Sequence, residues 1–106
     1  MATGIHLRVY TYENRKIHGQ LQYEWLLEQA RAIGIHGGSA FRAIAGYGRH
    51  GQLHEQGFFE LAGEQPVLVE FIASPDECNA LLDRVRQSGL VLFHATTPIE
   101  YGTTTP

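Results

Sequence analysis

Apolar and polar residues alternate along IHLRVYTY, residues 5–12. Ile5, Leu7 and Val9 fall on one side and His6, Arg8 and Tyr10 on the other, the period-two pattern of a half-buried strand. The polar stretch ENRKIHGQ reads as a connection. In LQYEWLLEQARAIG the spacing changes: Tyr23, Leu26, Leu27, Ala30 and Ile33 recur three and four apart, which makes one helical face, and Gly34 is placed to end the helix. SAFRAIAG, residues 39–46, predicts a second strand, weakened by its alanines. FFEL, residues 58–61, fits a short hairpin extension, and PVLVEFIA, residues 66–73, is the clearest strand pattern in the chain. A second helix has an explicit start: Ser74 as N-cap, Pro75 at the first helical position and Glu77 three residues after the cap. Cys78, Leu81, Leu82 and Val85 form its apolar face, so Cys78 reads as a small buried hydrophobe. Gly89 ends this helix. LVLFHATTPIEY then gives a last strand, leaving a loose tail at about 102–106.

The order β-α-β-β-α-β predicts a single α+β domain over residues 1–106. Right-handed crossovers place both helices on one face of the sheet. The simplest product is a ferredoxin-like, split β-α-β sandwich with an antiparallel sheet in the order 4-1-3-2 and a long loop between strands 2 and 3. Its other face is bare. With Ile5, Leu7 and Val9 toward the helices, and Ala40, Arg42 and Ile44 assigned outward on the second strand, the bare face carries Tyr10, Ile44, Leu68 and Ile72 around Arg8, Arg42 and Glu70. Glu70, between the first and second strands, is expected to reach both arginines. So many large apolar residues on an open face point to coverage by other subunits. Arg8, Tyr10, Ile44, Leu68, Glu70 and Ile72 are therefore the candidate oligomer interface.

Composition narrows the function classes. The 106 residues carry 8 basic and 11 acidic side chains and a formal charge of -3, which gives no support for nucleic acid as a partner. No apolar run approaches the roughly 20 residues of a membrane span. The start, MATGIHLRVY, has no signal-peptide pattern. The single cysteine excludes an internal disulfide. Together these predict a cytoplasmic protein with no direct membrane insertion. Neither G-x-S-x-G nor H-E-x-x-H occurs, and no catalytic residue is assigned.

The stretch AGYGRHGQLHEQG, residues 45–57, holds four glycines, two histidines and an arginine. Glycine backbone N–H groups can form an anion nest, and Arg49, or Arg42 at the base, can grip an anion bidentately. The candidate ligand site is Arg42, Gly46, Tyr47, Gly48, Arg49 and His50. His50 and His54 are an alternative metal pair. A flexible loop, its glycines serving only to bend the chain, explains the same composition.

FRAIAGYG, LHEQGFFELAGEQPVLVEFIASPDE and SGLVLFH, together with ENRKIHGQLQYEWLLEQARAIGIHGGSAFRAI, resemble the PII-like family of uncharacterised bacterial domains, within the PII and CutA superfamily, over about residues 5–101. The resemblance implies a ferredoxin-like fold, a homotrimer with sheets facing inward, and a ligand cleft between subunits at the base of a mobile loop, here about 46–65. It implies a regulatory protein that senses a small effector, a nucleotide or another anion, and contacts a target protein such as a membrane transporter or an enzyme. The CutA branch implies the alternative, a metal-binding trimer using loop histidines. The chain departs from PII in lacking the Gly-rich, lysine-bearing turn before the last strand; its only lysine is Lys16.

Overall fold

The alternation in the N-terminal segment becomes strand β1, Ala2–Tyr12, which starts three residues earlier than the pattern predicts. Leu7 and Val9 are buried on one side of it, and Tyr10 is exposed on the other. The structure, a computed structural model, describes residues 1–47 and 65–105. Within these, β1 is followed by β2 (Lys16–Ile17), β3 (Gln20–Leu21), α1 (Gln22–Ile33), β4 (Gly38–Arg42), β5 (Pro66–Ala73), α2 (Pro75–Ser88) and β6 (His94–Tyr101). The four long strands form one antiparallel sheet in the order β4-β5-β1-β6, and β2 pairs with β3 in a separate hairpin. The arrangement is α+β and ferredoxin-like. FFEL and most of the 46–65 segment lie outside the described residues.

One core joins the layers. Leu7 and Val9 of β1 and Val67, Val69, Phe71 and Ala73 of β5 meet Leu26 and Ala30 of α1 and Cys78, Leu81, Leu82 and Val85 of α2. Burial pushes the Cys78 thiol up from its ordinary pKa, which keeps it protonated and inert.

The capping box of α2 is present. Ser74 Oγ accepts from the Glu77 N–H at 3.1 Å, and Glu77 Oε1 accepts from the Ser74 N–H at 2.9 Å. Ser74→Ala is expected to lower stability by about 1 kcal/mol through loss of this cap. An unchanged urea midpoint would show that the cap contributes nothing. Gly34 and Gly89 end the two helices in the left-handed region, at φ 110° and 86°.

The polar connection after β1 contains more order than its composition predicts. His18 (φ 50°) and Gly19 (φ 78°) are both left-handed, the backbone of a two-residue hairpin turn, and they close β2 on β3. Buried Gln22 ties this hairpin to the sheet. It accepts from the Thr11 hydroxyl at 2.6 Å and donates to the Lys16 carbonyl at 3.2 Å.

The second strand differs from the sequence reading in length and in facing. It ends at Arg42, not at residue 46, so Ile44 lies beyond the sheet and is 97% exposed. The register pairs Phe41 with Leu68 and Arg42 with Val67. Residues directly opposite share a face, and Val67 is core-facing, so Phe41 is on the bare face and Arg42 is not. A one-residue offset inverts a whole strand. The alanines, alike on both sides, give the alternation no direction. The last strand is also shorter than predicted: β6 starts at His94, and Leu90 and Leu92 before it pack against the core.

Candidate functional site

Two regions carry the residues singled out from sequence. The first is the bare face of the sheet. His6 pairs across β1 and β5 with Ile72, Arg8 with Glu70, and Tyr10 with Leu68. Phe41 of β4 lies opposite Leu68, and Ala95 of β6 lies opposite Arg8. Tyr10 packs on Phe93 with ring centroids 5.5 Å apart. Tyr10, Phe41, Ile72 and Phe93 all remain exposed, between 36% and 50%.

The charges on this face are not arranged as the sequence suggests. Glu70 does not bridge Arg8 and Arg42. Its Oε2 instead sits 2.8 Å from His6 Nε2. Arg8 is half-buried, and its Nε is shut away from solvent with no hydrogen-bond partner among the described residues. Of the six candidate interface residues, Arg8, Tyr10, Leu68, Glu70 and Ile72 share the face; Ile44 does not. Phe41 and Phe93 belong to it and were missed. For Phe41 the missing signal was strand facing; Phe93 immediately precedes β6, where periodicity alone does not set its direction.

The second region is where the chain leaves β4 and returns to β5. Arg42 Nε donates to Glu13 Oε2 at 2.5 Å, and a second guanidinium nitrogen pairs with the same oxygen. The hydrogen bond to Glu13 and its charge raise the Arg42 pKa above the ordinary value. The Glu13 N–H donates to the Gln65 carbonyl, and the Ala43 N–H to the Pro66 carbonyl, both at 2.8 Å. The end of β1 therefore fastens both sides of the 43–65 connection. Arg15 lies over the Tyr12 ring, 4.7 Å from its centroid. Gly46 and Tyr47 are exposed beside this junction. Gly48, Arg49, His50 and His54 lie outside the described residues. Any anion that binds Arg42 must compete with Glu13, a residue that sequence spacing does not connect with position 42.

Among the described residues, no group of three His, Cys, Asp or Glu side chains is placed to hold a metal ion. No described helix is long and apolar enough to cross a membrane.

This fold is shared with PII-like nitrogen regulatory proteins. CPII from Thiomonas intermedia K12, in a structure bound to ADP, AMP and bicarbonate, superimposes with a TM-score of 0.66 over 98% of both chains at 12% identity. A candidate PII-like signaling protein from Thermus thermophilus gives a TM-score of 0.63 over 92% of this chain and 88% of that one, also at 12% identity. At such identities the likeness establishes the fold alone. Sequence establishes the family: the chain belongs to DUF190 (UPF0166), described as Uncharacterized ACR, COG1993, whose pattern matches residues 4–97. A UPF0166 protein of Aquifex aeolicus (strain VF5) is 34% identical over 87 residues, 80% of this chain and 83% of that protein. Another, from Methanocaldococcus jannaschii, is 28% identical over 91 residues, 82% of this chain and 83% of that protein.

Proposed function

We propose that this chain is a non-catalytic, homotrimeric regulatory protein of the cytoplasm that binds a small anionic effector between subunits and signals occupancy to a partner protein. The observation that carries this reading is the PII-like fold over nearly the whole chain, shared with a protein whose structure contains ADP, AMP and bicarbonate. The effector site lies at the base of the 46–65 segment, with Arg42, Gly46, Tyr47, Gly48, Arg49 and His50 as its residues. The effector draws Arg42 away from Glu13, and the segment reports that change to a target such as a transporter or an enzyme. The bare apolar face supports the assembly: it is the surface that subunits of a trimer would cover.

The test is a thermal-shift and calorimetric screen with ADP, AMP and bicarbonate, singly and together. A ligand at 100 times its dissociation constant is expected to stabilise the protein by about 2.7 kcal/mol, at constant protein concentration. Arg42→Ala, together with Arg49→Ala, is expected to remove most of that shift. A flat response to all these ligands overturns the anionic effector. Stabilisation only by a divalent metal, lost in a His50→Ala, His54→Ala variant, replaces this reading with the metal-binding one. Light scattering that gives the monomer mass at micromolar concentration overturns the trimer.

A further inference from the structure

The bare sheet face contains an unmatched pair. Arg8 and Glu70 are direct cross-strand partners, a position at which side chains stand about 5 Å apart and opposite charges ordinarily meet. Here they do not. Glu70 turns one oxygen, Oε2, to His6 and leaves Oε1 without a described partner. Arg8 forms no ion pair among the described residues, and its Nε is enclosed without an acceptor. Arginine cannot shed its proton at any physiological pH, so burial cannot silence this charge. A guanidinium left half-buried without an anion costs free energy until one arrives.

Resting on the trimer reading above, we infer that Arg8 of each copy pairs with Glu70 of a neighbouring copy, so that the ion pair absent within the chain forms between chains. The occupant of this face is a second copy because the face is its own complement. It carries one cation with no ion pair, and one carboxylate with a spare oxygen, among the described residues. Around both lie half-exposed Tyr10, Phe41, Ile72 and Phe93, which exclude water when two faces meet. Rotation about a symmetry axis presents the Arg8 of one subunit to the Glu70 of the next, satisfying every copy equally. A partner of other chemistry would need to bring its own balanced pair in the same geometry. His6 has a supporting part: it holds Glu70 Oε2 and leaves Oε1 to meet a neighbouring copy.

Charge reversal in two separate chains tests this. Arg8→Glu and Glu70→Arg are each expected to weaken association by roughly 100-fold or more, read by light scattering across a dilution series. Mixing the two folded variants is expected to restore assembly in part: in a mixed trimer two of the three seams set opposite charges at 8 and 70 on different copies and one stays like-charged, whereas all three are like-charged in either variant alone. Circular dichroism first establishes that both variants fold. Arg8→Gln, which keeps the bulk and removes the charge, serves where Arg8→Glu does not fold and is expected to weaken association too. If the unmodified chain is a monomer, the assembly reading fails and this pair fails with it. If the chain assembles and the single variants assemble equally well, the pair is wrong and the trimer stands. Recovery in the doubly reversed chain, with the mixture associating no better than either variant alone, places the pair within one chain and overturns the inference.

Discussion

Phe71→Ala is expected to remove about 3–5 kcal/mol of folding stability. Among the described residues Phe71 is the largest of the fully enclosed side chains, only 2% exposed. It sits on the central strand β5, with Leu7 of β1 on one side and Gly38 of β4 on the other. Truncation removes the ring's transfer free energy and leaves a cavity that two paired strands cannot collapse into. Domains of this size have about 5–15 kcal/mol in total. The variant should therefore lose about a fifth or more of its margin, with the melting temperature falling by about 12 °C or more. Urea denaturation at fixed protein concentration checks it, because assembly makes the midpoint concentration-dependent. A loss below about 1 kcal/mol would mean that the ring is not packed between these strands.

Gly38→Val is expected to cost about 1–3 kcal/mol for the opposite reason. A Cβ at this position would stand 2.5 Å from Phe71 Cε1, 2.7 Å from Cδ1 and 3.0 Å from Leu27 Cδ2. The ring cannot withdraw, since it is enclosed on its other sides, so β4 must lift from the helix side of the sheet. The backbone there is ordinary; the reason for glycine is space, not torsion. Gly38→Ala combined with Phe71→Leu should cost less than the sum of the two single changes, by about 0.5 kcal/mol or more, because the smaller side chain vacates the volume the methyl needs. Strict additivity would separate the two positions and remove the explanation for glycine at 38. Reduced melting of the Gly38 variant with unchanged association would further place its effect in the core and not on the bare face.

How much of this was legible depended on whether the local code was redundant. The second helix was written three times over, in its cap, its apolar face and its terminal glycine, and it forms as expected. Strand β5 was equally clear, because Val67, Val69 and Phe71 are buried while Ile72 opposite them is exposed. Residues 39–46 carried one weak signal, alternating alanines, and both the end and the facing of that strand were misread. That error moved Arg42 onto the wrong face and gave Glu70 an arginine partner it does not have; Arg8 shares the face with Glu70 and still does not pair with it. The true partners, Glu13 for Arg42 and His6 for Glu70, depend on tertiary register, which no window along the chain contains. Gln22 was hidden for a related reason. A glutamine at a helix start reads as solvated unless the hairpin that buries it is known, and that hairpin rests on strands of two residues each.

The central place of β1 in the sheet has a kinetic meaning. It precedes both of its sheet neighbours: Tyr12 pairs with Pro66 and Ala2 with Tyr101, so both partners come from much later in the chain. Closing such distant pairings carries its entropy cost before any contact rewards it, and topologies of this kind fold more slowly than helical ones of equal size. At a synthesis rate of about 5–20 residues per second, β1 waits several seconds with two open edges and an apolar side uncovered. Until β5 and β6 are made, β1 is consequently open to misassociation, and a chaperone that shields residues 2–12 would protect it through that interval.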